Sequence, residues 1–256
     1  MRLLQILEVD INSLYPITKP LKFAQIILPD ESYFNDESTD RRFFSNEYRE
    51  TIEPLRIFAQ KNFTSLEEKK YYFFRGSPYS IGEERLAEYF QTKGYKIVGG
   101  HNMTFEEQLN VTANCESFAS TNGSCSMNMI FLKDGTETII LPRTNWLDNY
   151  QKSVNTLHNK DIKYIDSQLS IFHNKNGGPF CFIISEQLKK FFGDEWTGEY
   201  EDGDFINFLN YIKFANMKNL KPTDNYFEYF QNIYTDFIKQ LMKREDLMRK
   251  VGIVIK

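Results

Sequence analysis

The chain is poor in cysteine and histidine, the residues that most often build thiol and metal sites. Its 256 residues include only three of each. The cysteines are odd in number and form no CxxC pair, which argues against a disulfide framework and a zinc site. The histidines, His101, His158 and His173, are widely spaced along the chain. We therefore expect a protein of the reducing cytoplasm, without a bound metal or a cofactor.

Long hydrophobic runs and long basic blocks are also absent. No stretch of about 18 apolar residues exists, so a membrane-spanning helix is not expected. Glu8 and Asp10 interrupt the apolar N-terminus before a signal-peptide core could form. The formal net charge of −4 argues against nucleic acid as the main partner. Basic residues between Lys239 and Lys256 leave open a contact of this end with the inner face of a membrane.

Aromatic residues, by contrast, are abundant. The sequence has 23 Phe and 15 Tyr, and 41% of its residues are hydrophobic. This is enough apolar material for one large domain or two small ones. We expect aromatic rings to supply most of the core volume.

Between Tyr71 and Leu141 a short apolar run, a loop and an amphipathic helix follow one another three times. Ser80–Glu83 and Thr104–Glu107 both have the spacing of a capping box, which opens a helix. A third helix is predicted from Gly123 to about Leu132. The predicted strands are Tyr71–Phe74, Lys96–Val98, Glu116–Ala119 and Glu137–Leu141. This alternation predicts an α/β fold built on a right-handed, parallel βαβαβαβ unit.

The segments on either side are less regular. Further strands are predicted at Phe23–Leu28, Ile162–Ile165 and Pro179–Ile184, and a loop at 31–45. Further helices are predicted at Asn46–Lys61 (inner face Ile52, Leu55, Ile57 and Phe58), Asp148–His158 and Ser185–Phe192, with one long helix over Tyr226–Lys250. We divide the chain into an N-terminal segment 1–65, an α/β domain 66–220 and a C-terminal helical extension 221–256.

Two predicted loops have the composition of an anion-binding site. Arg75 ends the first strand of the regular unit and is followed by Gly76 and Ser77, so its guanidinium would lie at the cleft of a parallel sheet. The loop 122–126, Asn-Gly-Ser-Cys-Ser, combines small donors with the start of a predicted helix. The alternatives are a surface arginine and an ordinary helix cap. Cys125 has no histidine placed as its base, so we do not expect a catalytic thiol.

Other polar residues could reach the same cleft. Glu106 and Glu107 open the second helix, where Glu107 should pair with Thr104 in the capping box. Arg143 follows the fourth strand and would add a positive charge. His101 lies after the second strand, and Asp30 and Glu31 close the predicted N-terminal strand. The alternative for each of Arg143, His101, Asp30 and Glu31 is an ordinary role at the protein surface.

The order of these features resembles the C-terminal, donor-binding half of family 61 glycosyltransferases. The resemblance rests on the strand ending in Arg75, on Phe105–Leu109, and on the loop and helix Asn122–Phe131. It implies a Rossmann-like, GT-B-like domain in which Arg75 and the loop 122–126 bind a nucleoside diphosphate. It further implies that Glu107 lies near the donor and that Asn128 supports the loop. Asn122 stands where the family usually has histidine, and only residues 1–65 are available for the N-terminal half.

The resemblance implies a bacterial glycosyltransferase that moves a sugar from a nucleotide-diphosphate sugar to a surface glycan, such as capsule or lipopolysaccharide, or to a lipid-linked glycan. The reaction would be inverting and metal-independent, with the donor site at Arg75, Gly76, Ser77, Asn122, Gly123, Ser124, Cys125, Ser126, Asn128 and Arg143. Glu107, Glu31, Asp30 and His101 remain candidates for the base. One alternative is a non-catalytic nucleotide-binding or assembly subunit, and homo- or hetero-oligomers remain open. Another is a small-molecule enzyme on the same scaffold.

Overall fold

The computed structural model describes residues 6–26, 33–36, 41–63, 66–144, 151, 153–155, 162–172, 178–222, 231–250 and 252. The described strands are β1 (Tyr33–Asp36), β2 (Arg41–Phe44), β3 (Lys70–Phe74), β4 (Ser80–Ile81), β5 (Lys96–Gly99), β6 (Ser117–Thr121), β7 (Glu137–Leu141), β8 (Ile162–Tyr164) and β9 (Phe180–Cys181). The α-helices are α1 (Asn46–Asn62), α2 (Glu83–Thr92), α3 (Phe105–Asn114), α4 (Glu186–Phe191), α5 (Asp202–Met217), α6 (Gln231–Leu241) and α7 (Glu245–Lys250). Short 3₁₀-helices cover Ile11–Ser13, Gly100–Asn102 and Ser126–Phe131.

The centre of the fold is a five-stranded sheet in the order β5-β3-β6-β7-β8. Every neighbouring pair in it is parallel, which confirms the α/β prediction. The four strands predicted between Tyr71 and Leu141 are all present, with ends that differ by at most two residues.

Helices cover both faces of this sheet because its strands are apolar on both faces. Tyr72 and Ile139 point to one face, where they pack in one cluster with Leu86 and Phe90 of α2. Phe73 and Phe118 point to the other, in a cluster with Val111 of α3 and with Met129. The core is rich in aromatic rings, as the composition predicts.

A second layer of helices lies at the C-terminal end. The buried side chains of α5, α6 and α7 form a cluster with β9 that includes Phe205, Phe208, Phe237 and Leu247. No helix in the described residues is long and apolar enough to span a membrane.

Three N-terminal predictions are wrong. Residues 23–26 form no strand, and both Phe23 and Ile26 are largely exposed; the rest of the predicted strand lies outside the described residues. The predicted loop 31–45 contains the antiparallel pair β1–β2. Helix α1 is present, with Pro54 inside it, but Ile57 is exposed rather than on its inner face. An apolar run alone does not make a strand without a neighbour to pair with.

The helix starts at 80–83 and 123–132 also differ from prediction. Ser80 and Ile81 pair with Phe180 and Cys181 in parallel, so Gly82 (φ +88°) rather than Ser80 is the N-cap of α2. The predicted third helix is a six-residue 3₁₀-helix, Ser126–Phe131. Tertiary pairing overrides the local cap signal in the first case. In the second, the Ser126 hydroxyl donates to the Gly123 carbonyl and accepts from its N–H, which closes a turn before the helix.

The C-terminal half departs from prediction in its helices. The long helix expected over Tyr226–Lys250 is broken by a turn at 242–244 into α6 and α7, and residues 223–230 lie outside the described set. Helix α5 is missed altogether. The strand expected at Pro179–Ile184 is confined to β9. The helix predicted over Ser185–Phe192 is present as α4, with Ser185 as its N-cap. Of the helix expected at Asp148–His158, residues 151 and 153–155 are helical and the remainder lies outside the described residues.

Candidate functional site

The chain changes direction between β3 and β6, the two strands at the middle of the sheet. After β3 the next sheet strand is β5 on one side, whereas after β6 it is β7 on the other side. The loops that leave these two neighbouring strands therefore diverge. In parallel sheets such a switch point opens a crevice at the carboxyl ends of the strands, and ligands bind there. Arg75 and Asn122 are the residues that follow β3 and β6.

Two arginine side chains converge on Gly123. A Cβ atom built on this glycine would lie 3.0 Å from Cζ and Nη2 of Arg143 and 3.2 Å from Nη1 of Arg75. Gly123 has φ +142°, a conformation that L side chains rarely adopt. Arg143 also lies over the ring of Phe180, with Cζ 4.5 Å from the ring centroid. The two guanidinium groups thus meet at the loop after β6, although they come from loops 68 positions apart in numbering.

Hydrogen bonds fix the loop 122–126 to the end of β7 and to Gln151. The backbone N–H of Asn122 donates to the Leu141 carbonyl (2.8 Å), which continues the β6–β7 pairing into the loop. The Ser126 hydroxyl donates to the Gly123 carbonyl (2.7 Å) and lies 2.6 Å from Oε1 of buried Gln151. Among the described residues the side-chain amide nitrogen of Asn122 is buried without a hydrogen-bond partner. The loop is fixed in place and keeps one unused donor.

A cleft of about 350 Å³ opens beside this loop. Its lining residues are Arg75, Gly100, His101, Gln108, Ser124, Cys125 and Asn128. Gln108 donates to the carbonyls of Gly100 (2.9 Å) and Met103 (3.2 Å) and accepts from Asn128 (3.2 Å). This network joins the loops that follow β5 and β6 to the first turns of α3. The sequence indicates Gln108 only as part of Phe105–Leu109, because its contact with the Asn128 side chain, 20 residues further along the chain, depends on the tertiary structure.

Glu83 is a buried carboxylate at the base of the site. The sequence predicts it only as part of a helix cap. It is fully buried at the start of α2. Its Oε1 accepts from the Arg75 backbone N–H (3.2 Å) and from the Thr121 hydroxyl (2.9 Å), so it joins the ends of β3 and β6. Burial raises the pKa of Glu83, while its two hydrogen bonds and the Arg75 charge act in the opposite direction.

The pKa of Cys125 is affected by the charges of Glu83, Arg75 and Arg143. Burial raises the pKa of its thiol, the Glu83 carboxylate raises it further, and Arg75 and Arg143 lower it. A nucleophilic cysteine needs a lowered pKa, so this thiol is poorly suited to catalysis, as the lack of a partner histidine predicts. Cys115 and Cys181 are buried in the core.

The part of the chain that contains the cleft is similar to a known protein family. Residues 16–139 match the model of the Glycosyltransferase 61 family. The matched stretch holds Arg75, the loop 122–126, Glu83 and every residue that lines the cleft. It begins well before β3, so the similarity to this family extends over most of the N-terminal segment 1–65 as well. No curated protein matches the chain.

The structure brings some of the family-derived site residues together and leaves others apart. Arg75, Ser124, Cys125, Asn128 and His101 line one cleft. Arg143, Asn122 and Gly123 adjoin it through the loop. Gly76 (φ +65°) packs against the rings of Phe74 and His101, and the Ser77 hydroxyl accepts from Tyr79 N–H in the turn after β3.

The carboxylate candidates for the base lie elsewhere. Oε2 of Glu107 accepts from the Thr104 N–H (2.7 Å) and hydroxyl (2.9 Å), and these bonds lower the pKa of Glu107. The capping box predicted at Thr104–Glu107 is therefore present. Glu106 does not line the cleft either. Asp30 and Glu31 fall outside the described residues.

Acidic residues with a metal-binding spacing are engaged in ion pairs. The chain contains one Asp-x-Asp spacing, Asp202-Gly203-Asp204, at the start of α5. Asp202 pairs with Arg244 (2.5 Å) and Asp204 with Arg85 (3.1 Å). Within the described part of the chain, no three His, Cys, Asp or Glu residues are grouped so that they could hold a metal ion.

Proposed function

We propose that the protein is a glycosyltransferase that uses a nucleoside-diphosphate sugar as its donor. The observation that carries this proposal is the convergence of the Arg75 and Arg143 guanidinium groups on Gly123 at the switch point of the parallel sheet. Guanidinium groups bind phosphate oxygens in a forked geometry, and two of them match the two phosphates of such a donor. The family match over residues 16–139 supports the sugar-transfer chemistry.

The diphosphate would occupy the cleft beside the loop 122–126. Gly123 leaves the room that a side chain would fill, and the Ser124 hydroxyl and the buried Asn122 amide add donors. The Gln108–Asn128 bond would keep the loop in position against Arg75. We place the sugar towards the side of the cleft lined by Gly100 and His101.

In the proposed reaction an acceptor hydroxyl attacks the anomeric carbon, and the bond to the diphosphate breaks in a single, inverting displacement. Negative charge develops on the leaving diphosphate, where Arg75 and Arg143 would stabilise it. His101 is the one candidate for the base that lines the cleft within the described residues. Its imidazole would take the proton of the acceptor hydroxyl. We further propose a bacterial surface or lipid-linked glycan as the acceptor and no requirement for a metal.

The alternative is a subunit that binds nucleotides without transferring sugar. The use of Glu107 in a helix cap favours it, because the carboxylate that the family resemblance places near the donor is engaged elsewhere. Such a subunit would retain the diphosphate site but lack turnover. Binding and transfer must therefore be measured separately.

The first experiment is a thermal-shift screen with UDP-, GDP-, CDP- and TDP-sugars, with and without Mg²⁺. A ligand present at 100 times its Kd stabilises the fold by about 2.7 kcal/mol. We expect a clear, Mg²⁺-independent response to one nucleotide class, followed by release of that nucleoside diphosphate in the presence of acceptor glycans. Binding without release at any acceptor would favour the subunit. No response to any nucleotide would contradict the proposed function.

Replacement of either arginine tests the proposed phosphate contacts. Arg75→Ala and Arg143→Ala should each weaken nucleoside-diphosphate binding by about 10- to 100-fold, since a charged hydrogen bond contributes roughly 1.5–3 kcal/mol. Calorimetric titration would measure the change. Arg49→Ala is the matched control, because Arg49 is exposed and pairs only loosely with Asp134 at 3.9 Å. Unchanged affinity in Arg75→Ala would remove this residue from the site.

A further inference from the structure

Glu83 places a carboxyl group beneath a site that we propose binds an anion. Its Oε1 bonds to the Arg75 N–H and the Thr121 hydroxyl, while its Oε2 is buried and has no hydrogen-bond partner among the described residues. The side chain is fully buried and is not part of the cleft lining. The reaction proposed above gives this carboxylate no role.

In its ionised form, which its two hydrogen bonds and the charge of Arg75 favour against burial, Glu83 acts on the same region as the two arginines. It interacts electrostatically with Arg75 and with the Cys125 thiol, and Cys125 in turn interacts with both Arg75 and Arg143. A buried charge is poorly screened by solvent, so its influence on nearby groups is strong. An uncharged residue could accept the same two hydrogen bonds through a carbonyl oxygen. Hydrogen bonding alone therefore does not account for a carboxylate here.

We propose that Glu83 is a buried counter-charge that limits how tightly Arg75 and Arg143 hold a diphosphate. Arg75 in the cleft, with Arg143 beside it, would retain the nucleoside diphosphate after sugar transfer. The carboxylate lowers the positive potential at the loop 122–126 and so promotes release of the product. This role rests on the proposed function and makes Glu83 a tuning residue that acts through the arginines and does not touch the substrate.

The decisive variant is Glu83→Gln, which removes the charge and keeps the shape and one acceptor oxygen. We expect it to bind inorganic pyrophosphate and nucleoside diphosphates roughly five- to tenfold more tightly than the wild type, because a neighbouring negative charge is gone. Glu84→Gln is the matched control. It removes the same charge at the next residue, which is exposed, and should leave the affinity unchanged.

The Cys125 thiol provides a readout that does not depend on any nucleotide. It is the one cysteine of the three that is not buried, so iodoacetamide should label it selectively. Loss of the Glu83 charge should stabilise the thiolate, and alkylation near neutral pH should be about threefold faster in Glu83→Gln. Glu84→Gln should label at the wild-type rate. Should Glu83→Gln not fold, Glu83→Met removes the same charge with a similar volume and carries the same comparison.

The two measurements separate this inference from the proposed function. If the wild type binds pyrophosphate and Glu83→Gln binds it equally or more weakly, the counter-charge role is overturned while the donor site stands. If the wild type binds neither pyrophosphate nor any nucleoside diphosphate, the proposed function fails, and the product-release role fails with it. Faster alkylation would then show only that Glu83 acts on Cys125. Tighter binding together with faster alkylation supports the proposal.

Discussion

At the scale of single residues, Gly123 decides how closely the two arginines approach the chain. Its φ of +142° is accessible to glycine at little cost, and the guanidinium groups of Arg143 and Arg75 lie only 3.0 Å and 3.2 Å from the position that a Cβ would take. A glycine in a polar loop is common, so the sequence could suggest an anion site without showing which charges surround it. Arg143 lies in the loop after β7, whereas Gly123 lies in the loop after β6.

Gly123→Ala should lower both stability and anion affinity. The new methyl group would lie 3.0 Å from Arg143 Cζ and 3.2 Å from Arg75 Nη1, so both guanidinium groups must move away. We expect a loss of about 1 kcal/mol in the free energy of unfolding from backbone strain. Pyrophosphate should bind about tenfold more weakly, because charged hydrogen bonds depend on geometry. Urea unfolding and calorimetric titration measure the two effects.

Gly135→Ala separates backbone strain from displacement of the arginines. Gly135 also has a left-handed φ, +81°, but a Cβ there would meet no atom within 4 Å. It should lower stability in a similar way and leave pyrophosphate affinity unchanged. Equal loss of affinity in both variants would mean that Gly123 affects binding only through the stability of the fold.

At the scale of elements, two similar sequence signals have different outcomes. Thr104 and Glu107 form the predicted capping box at the start of α3. Ser80 and Glu83 have the same spacing, but Ser80 lies in β4 and Glu83 bonds to β3 and β6 residues instead. The difference comes from β9, which is about 100 residues away and pairs with β4. Local spacing therefore determined one helix start and not the other.

Glu107→Gln tests whether this carboxylate serves the helix or the donor. Hydrogen bonds from Thr104 lower the pKa of Glu107 below its ordinary value of 4.5. Its charge therefore stabilises the fold above that value, and this contribution is lost as the pH falls through the lowered pKa. The wild type should have a higher Tm than Glu107→Gln at pH 7, and the difference should disappear as the pH falls below the lowered pKa of Glu107.

Nucleotide affinity gives the second half of this test. Glu107→Gln should bind nucleoside diphosphates like the wild type, since the carboxylate accepts its bonds from Thr104. Thr104→Ala is the control for the cap and should lower the free energy of unfolding by about 1 kcal/mol. A marked loss of donor affinity in Glu107→Gln would instead support the role that the family resemblance implies.

At the scale of the whole molecule, one buried ion pair joins the parallel sheet and its helices to the C-terminal helical layer. Arg85 of α2 donates to Asp204 of α5 (3.1 Å), and Asp204 also accepts from the Ile184 N–H (2.9 Å). Asp204 is almost fully buried, whereas Arg85 is partly exposed and also pairs with Glu201 (2.5 Å). Burial raises the pKa of Asp204, and Arg85 acts against this shift.

Arg85→Met should destabilise the molecule as a whole. It leaves Asp204 without its cation, and an unpaired buried charge costs about 3 kcal/mol. Urea unfolding should show a lower midpoint, and addition of Asp204→Asn to the same chain should recover part of the loss. Arg244→Met is the control, because its partners Asp202 and Asp246 are exposed and stability should change little. Equal effects of the two arginine variants would contradict a coupling role for Arg85.

The sequence by itself determined the four parallel strands β3, β5, β6 and β7, the helices α2 and α3 between them, and the Thr104–Glu107 cap. These features depend on apolar periodicity and on contacts a few residues apart. It also suggested Arg75, Arg143 and the loop 122–126, because residues after parallel strands lie at one edge of the sheet. Only the tertiary structure showed that both guanidinium groups meet at Gly123, buried Glu83 beneath the site and assigned Ser80 to a strand. Each of these depends on pairing between segments far apart in the chain, for which local spacing carries no signal.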